Sequence, residues 1–307
     1  MTDSMLRVAI GPSPSEFAVD AVRAGGGQLA EPGEPADALV WLASWDPDGL
    51  RAAVAASKPR WVQLSSAGIE EMASAGVLDQ DRAWTCAKGA YADPVAEHAL
   101  MLALAGLRVL PERVIARSWG RSAGDSLFDE PVTILGGGGI AASLIELLAP
   151  FRAEVTVVRR TAGSMAGAAR VLPSGRLADA LATARVVFVA LALTPATERI
   201  IGASQLAAMR PDSWLVNVAR GRHVDTAALV AALDGGQIAG AALDVTDPEP
   251  LPDGHPLWGH PRCIITPHTA DTMEMVERLL AARIRDNVAR FAAGQPLAGL
   301  VDPAAGY

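Results

Sequence analysis

Between residues 131 and 158 a short apolar run, Pro131 to Leu135, leads straight into four consecutive glycines, Gly136 to Gly139. Ala141 to Leu148 then reads as a helix, and Val155 to Val158 as the next strand. Strand, glycine turn, helix and strand in about 30 residues make one βαβ unit, which commits this part of the chain to a parallel sheet. The spacing Gly136-x-Gly138-x-x-Ala141 fits G-x-G-x-x-G/A. In that pattern the first glycine permits the tight turn. The second lets backbone approach a pyrophosphate, and the small third residue lets helix and strand pack closely. The N–H groups that open the helix, around Gly139 and Ile140, then face the phosphates. The expected ligand is a dinucleotide.

The end of the second strand bears on which one. An NAD-specific site places Asp or Glu on the ribose 2′-hydroxyl there. Here the position, 23 residues past Gly136, is Arg159, followed by Arg160 and Thr161. A guanidinium attracts a 2′-phosphate and stacks on adenine. NADP(H) is therefore favoured over NAD(H).

The rest of the chain extends the same alternation. Downstream strands are expected at Val186 to Leu191, Trp214 to Val218, Ile238 to Val245 and Cys263 to Thr266. Helices between them are read at Leu177 to Ala184, Ala203 to Met209 and Thr226 to Leu233. Six strands joined by short connections predict a doubly wound parallel sheet. Upstream, strands at Leu6 to Ile10, Ala38 to Ala43 and Trp61 to Leu64 alternate with helices at Phe17 to Ala24 and from Asp46 to about Ser57. Asp46 is the N-cap of the latter and Pro47 its first helical residue. This predicts a second, smaller α/β unit of flavodoxin-like type.

Pro94 opens a long apolar helix that Pro111 kinks or divides. Met273 to Phe291 is a closing helix expected to return to the first unit. The division expected is thus a discontinuous substrate domain, residues 1–93 plus 274–307, around a cofactor domain, residues 94–273.

The chain of 307 residues carries a net charge of −8 and no Lys/Arg run, which argues against nucleic acid as partner. Two cysteines, Cys86 and Cys263, make neither a disulfide framework nor a zinc site; buried free thiols and no metal are expected. No secretory leader or membrane span is read, so the cytoplasm is the expected compartment.

The candidate chemistry lies between Trp214 and His268. Arg220 follows an apolar run, Glu249 stands between prolines, and His268 follows Thr-Pro. Arg clamps carboxylates. His titrates near neutrality, and a carboxylate beside it holds it protonated and oriented. Brought together, the three would bind a 2-oxo acid and protonate its carbonyl oxygen. His98 reads as a core residue, His255 and His260 as structural, and Glu70 and Glu71 as a solvated helix start; Trp119 is open between packing, which is favoured, and lining the cleft. His223 is open between a site role and simple exposure.

The motifs PVAEHAL, ILGGGGIA, LTPAT, LVNVARG, AALDVTDPEPLP, HPLW and TPH, in this order, resemble the D-isomer-specific 2-hydroxyacid dehydrogenase family, and within it glyoxylate/hydroxypyruvate reductases. The resemblance implies reduction of a small 2-oxo acid to the D-2-hydroxy acid by a nicotinamide cofactor. It implies that Arg220 holds the substrate carboxylate, Glu249 is the catalytic glutamate and His268 the acid/base. It places Ala67 and Gly68 in a loop that offers N–H groups to the substrate, and Thr194, Val218 and Asp244 beside the cofactor. It also implies a homodimer built through the cofactor domain. Three residues depart from the family pattern. Arg159 stands for the usual Asp, LALTP lacks a proline, and Thr246 replaces an aromatic. The alternative reading is a non-catalytic nucleotide-sensing protein on the same fold.

Overall fold

The computed structural model describes residues 5–31 and 33–304. The chain forms two compact units, Met1–Tyr91 with Thr272–Tyr307, and Ala92–Asp271.

In the smaller unit the order is β1 (Arg7–Gly11), α1 (Glu16–Ala24), β2 (Gln28–Leu29), β3 (Ala38–Trp41), α2 (Pro47–Ser57), β4 (Trp61–Leu64), α3 (Glu70–Ser74) and β5 (Ala83–Thr85). The five strands are all parallel, in the order β2-β1-β3-β4-β5. This is the flavodoxin-like winding, whose direction reverses between β1 and β3. Asp46 caps α2 as its sequence demands, accepting from the Gly49 N–H at 2.8 Å. Strands β3 and β4 are buried throughout, as expected of strands covered on both faces. The closing helix of the chain spans Met273–Ala292. It packs on α1, where Gly25 lets backbone approach backbone: a Cβ there would lie 2.6 Å from the Arg285 carbonyl oxygen.

The larger unit begins with α4 (Ala92–Leu107) and α5 (Leu110–Ile115), then β6 (Pro131–Leu135), α6 (Gly139–Leu148), β7 (Glu154–Arg159), β8 (Arg170–Pro173), α7 (Leu177–Leu181), β9 (Val186–Val189), α8 (Ala203–Ala208), β10 (Trp214–Asn217), α9 (Thr226–Asp234), β11 (Gly240–Leu243) and β12 (Cys263–Ile265). The closing helix is therefore α10. Seven parallel strands lie in the order β12-β11-β10-β9-β6-β7-β8. The winding reverses between β6 and β9, which puts a ligand crevice at the carboxyl ends of these two strands. The core is a layer of aliphatic side chains, including Leu135, Val187, Leu215, Leu229 and Leu243. Helix α4 packs on α6 and the sheet, with Gly106 admitting the Trp214 ring.

Several expectations are adjusted. The seventh strand, β8, carries one exposed and three half-buried residues at the sheet edge, so it shows no continuous apolar run. Strands β2 and β5 are only two and three residues long. The apolar helix opens at Ala92, two residues before Pro94; of the two outcomes expected at Pro111 the structure shows division, with a separate helix over Leu110–Ile115. Cys86 is buried, but Cys263 is only part-buried because its strand forms the other edge of the sheet.

Candidate active site

The turn after β10 is fixed by the first polar residue of its own strand. Asn217 is fully buried; its Oδ1 accepts from the Ala219 N–H at 3.1 Å and its Nδ2 donates to the Arg220 carbonyl at 2.9 Å. His223, also fully buried, lies under the same turn. Its Nδ1 accepts from the Arg220 N–H at 3.2 Å, and its Nε2 is 3.3 Å from the Ala192 carbonyl. The question left by the sequence is answered: His223 is a brace, neither exposed nor presented to a ligand. It ties the Arg220 turn to the loop of Thr194, which is held by bonds of its N–H and hydroxyl to the Thr197 hydroxyl. The Arg220 guanidinium folds back to its neighbour, donating from Nη1 to the Ala219 carbonyl at 2.7 Å.

Glycine sets how close the next loop can come. A Cβ on Gly221 would lie 1.8 Å from the Thr246 carbonyl oxygen, so only glycine lets the Arg220 turn rest on the loop after β11. Glu249 leaves that loop between two prolines, with the Asp247–Pro248 and Glu249–Pro250 peptide bonds cis. Its Oε2 accepts from the Thr246 N–H at 3.3 Å, and its Oε1 is 2.5 Å from His268 Nδ1. The trio separated in sequence is thus brought together on one end of one sheet.

The electrostatics follow from these contacts. The hydrogen bond to Glu249 holds the His268 imidazolium above its ordinary range, while burial and the Arg220 cation pull it down. The same bond holds the Glu249 carboxyl below its ordinary range against burial. With Nδ1 engaged by Glu249, His268 keeps its Nε2 edge for a ligand, and its side chain is 46% exposed. A protonated imidazole oriented by a carboxylate, with a guanidinium near both, is a proton donor beside an anion clamp.

At the other side of the switch point, the glycine loop is shaped as the motif requires. Gly136 has φ +115°, and a Cβ there would lie 2.2 Å from the Ala190 carbonyl oxygen at the end of β9. Gly138 is the N-cap of α6 and provides no side chain to its first N–H groups; the space where its Cβ would be is open. Arg159, at the end of β7, lies across the loop, with its Cδ at 2.8 Å from where a Gly137 Cβ would sit. Its Nη2 donates to the Ser164 carbonyl at 3.3 Å, but its Nε is buried and has no partner among the described residues. An open cradle of N–H groups at a helix start fits the pyrophosphate of a nicotinamide dinucleotide. Arg160 is exposed beside Arg159.

Comparison with known proteins decides the class. The model of the D-isomer-specific 2-hydroxyacid dehydrogenase NAD-binding domain matches residues 98–270. The chain belongs to this dehydrogenase family. It is an NAD(P)-dependent oxidoreductase. The chain is 41% identical to an uncharacterized protein in the proB 3′ region of Corynebacterium melassecola, over 81% of this chain and 84% of that one. It is 36% identical to glyoxylate/hydroxypyruvate reductase A of Klebsiella pneumoniae over 57% of this chain; that match spans only 56% of the relative's length. A crystal structure of a D-isomer-specific 2-hydroxyacid dehydrogenase from Xanthobacter autotrophicus, in complex with NADPH and MES, superposes with a TM-score of 0.86 at 28% identity, covering 99% of this chain and all of that one.

Within this dehydrogenase the remaining sequence candidates are placed as follows. Val218 is buried at the end of β10 and its N–H reaches the Val189 carbonyl at 3.4 Å. Ile140 is half-buried in the first turn of α6. Asp244 is 2% exposed at the end of β11. Burial pushes its carboxyl up, but hydrogen bonds from His98, Thr266, Thr269 and Ala270 outweigh it and hold the group at about 2. Ala67 and Gly68 belong to the smaller unit. Their loop is pinned by Tyr91, whose hydroxyl donates to the Ser65 carbonyl at 2.6 Å, and by the Ala87 N–H donating to the Ser66 carbonyl at 2.8 Å. His255 and His260 serve their own loop, each accepting at Nδ1 from a backbone N–H two residues on. Glu70 and Glu71 open α3, as read. Trp119 corrects the sequence reading: at 99% exposure it packs on nothing described in this chain. Among the described residues no cluster could hold a metal ion, and no helix is long and apolar enough to cross a membrane.

Three residues of the site escaped sequence reasoning. Asn217 and Gly221 flank Arg220 in VNVARG, and a polar residue ending an apolar strand was the available signal. Asp271, half-buried three residues past His268 and pushed up by burial, carried no signal at all.

Proposed function

We propose that this dehydrogenase reduces a small 2-oxo acid to the D-2-hydroxy acid, with NADPH preferred over NADH. The observation that carries the reading is the 2.5 Å contact of His268 Nδ1 with Glu249, in reach of the Arg220 cation. The nicotinamide cofactor, when bound, supplies the hydride. The chain's residues do the rest. Arg220 pairs with the substrate carboxylate and orients the 2-oxo group. His268, kept protonated by Glu249, gives its Nε2 proton to the carbonyl oxygen as that oxygen gains charge. Glu249 keeps Nδ1 engaged, so that the proton transferred is the one on Nε2.

Gly136, Gly138, Gly139 and Ile140 would hold the pyrophosphate at the start of α6, and Arg159 and Arg160 the 2′-phosphate. Thr194, Val218 and Asp244 would line the remainder of the cofactor site, and Ala67 and Gly68 would give N–H groups to a carboxylate. Residues 94–273 form the cofactor domain in this reading, and residues 1–93 plus 274–307 the substrate domain. Glyoxylate and hydroxypyruvate are the first substrates to try, because a similar protein carries that name. A homodimer belongs to the reading as well. Its support is the row of exposed apolar side chains Leu110, Val114, Ile115 and Trp119, a surface of the sort that association covers.

The test is oxidation of NADPH and of NADH with a panel of 2-oxo acids. Turnover with a preference for NADPH is the expected result. Turnover with NADH preferred would remove the role given to Arg159. Tight NADPH binding with no turnover on any 2-oxo acid would overturn the reading in favour of a nucleotide sensor.

A further inference from the structure

His268 stands on a strained turn, and the strain is held by a buried network that reaches across to α4. The residue has φ +50°, a left-handed conformation that a β-carbon-bearing residue rarely adopts. Such a conformation persists only where its surroundings impose it. Here the surroundings are Asp244, Thr266 and His98. The His268 N–H donates to the Asp244 carbonyl at 2.8 Å. The Asp244 carboxylate accepts from the next two N–H groups of the turn, Thr269 at 3.0 Å and Ala270 at 3.1 Å. The Thr266 hydroxyl donates to Asp244 Oδ1 at 2.5 Å. Behind it, His98 Nε2 lies 3.0 Å from Thr266 Oγ1 and 3.3 Å from Asp244 Oδ1. The tautomer with its proton on Nε2 satisfies the whole chain: His98 donates to Thr266, and Thr266 donates to Asp244.

We infer that His98 and Thr266 are positioning residues for the reductase reaction, which orient Asp244 so that it clamps the backbone of His268. The inference rests on the function proposed above. Its logic is geometric. One carboxylate satisfies both N–H groups that follow the proton donor, and its own carbonyl satisfies the donor's N–H. If Asp244 swings, the imidazole swings with it. His98 sets the rotamer of Asp244 from α4, an element that carries none of the catalytic trio. It is 14% exposed at its side chain, so water is a poor substitute for it.

The experiment uses the whole enzyme and three substitutions, His98→Leu, His98→Gln and Thr266→Val. The readouts are kcat, KM for the 2-oxo acid, Kd for NADPH, and amide exchange of Thr269 and Ala270. Misplacing a reacting group by about 1 Å costs up to about 100-fold in rate. We expect kcat to fall 10- to 100-fold in His98→Leu and in Thr266→Val, with KM and Kd within threefold. Exchange at Thr269 and Ala270 should rise at least tenfold. The Gln amide can still donate to Thr266, so His98→Gln should return kcat to within about threefold of the parent. Wild-type kcat with unchanged exchange in the folded Leu and Val variants would overturn the inference. So would equal losses in the Leu and Gln variants. Should His98→Leu not fold, Thr266→Val decides alone, by the same criteria. Should the parent chain turn over no 2-oxo acid, the proposed reaction fails, and the exchange at Thr269 and Ala270 still decides the clamp.

Discussion

Two glycines in this enzyme make opposite demands, and substituting each by alanine separates them. In Gly221→Ala the new Cβ meets the Thr246 carbonyl oxygen at 1.8 Å and its carbon at 1.9 Å. Ordinary contacts of carbon begin near 3.5 Å, so the two backbone segments must part by roughly 1.7 Å. Neither is a flexible side-chain tip. The cost belongs at the upper end of overpacking, about 3 kcal/mol. For a unit of the size of Ala92–Asp271, this lowers Tm by about 6–12 °C. The movement separates the Arg220 turn from the loop of Glu249, so kcat should fall about 100-fold as well. Gly138→Ala differs at every step. Its Cβ enters open space, and its φ of −89° suits any residue. Tm should stay within about 1 °C, as for an unhindered surface change. Where a pyrophosphate must come close to backbone, however, the methyl group intrudes, and KM for NADPH should rise tenfold or more. Thermal melts of both variants, with steady-state kinetics, give the result. A Gly221→Ala enzyme with parental Tm and kcat would refute the close-approach argument. A Gly138→Ala enzyme as unstable as Gly221→Ala would refute the cradle.

Other tests follow from the charges. Replacing His268 by Ala removes the proposed proton donor and should cut kcat by about 100- to 10,000-fold, measured at saturating NADPH. In Glu249→Gln the hydrogen bond that raises His268 is weakened. Reduction needs the imidazolium, and its rate falls as pH rises through the His268 pKa. The kcat/KM profile of the variant should therefore drop at lower pH than that of the parent; superposed profiles would exclude the pair. On the proposed reading, Arg159→Ala removes a charge-assisted hydrogen bond to the 2′-phosphate, about 1.5–3 kcal/mol. This raises KM for NADPH about 10- to 100-fold and leaves NADH within threefold; equal losses for both cofactors would remove Arg159 from the 2′-phosphate. Asp244 sits at about 2 when folded, below its ordinary 3.8. Its contribution, about 2 kcal/mol, is present above the ordinary value and is lost as pH falls through about 2. The Tm of Asp244→Asn should vary less between pH 4 and 2 than that of the parent.

Sequence reasoning succeeded where one residue type has one physical use. Four glycines after a strand leave few folds open, and Arg220, Glu249 and His268 each lie within a short motif, so their convergence could be anticipated. It failed where pairing, not pattern, makes the structure. Strand β8 is held at the sheet edge by its ladder to β7, and its own composition does not announce it. The buried braces were hidden for a related reason. The sequence reads His98 as core and leaves His223 open, yet His223 supports the Arg220 turn and His98 the Asp244 carboxylate. Only the third dimension assigns them. Trp119 was misread because aromatic residues usually find cover in their own chain, and this one does not.

The smaller unit is assembled from both ends of the chain, with α10 laid against α1 through Gly25 and Val288. Synthesis therefore imposes an order. The first five strands leave the ribosome without the helix that covers α1, while residues 92–271 emerge as a complete unit before that helix exists. Until Leu280, Ile284 and Val288 arrive, Val22 and its neighbours on α1 lack the surface that buries them. A chain cut short before α10 would retain its entire cofactor sheet and lose the other unit, so limited truncation from the carboxyl end should give a folded but inactive half.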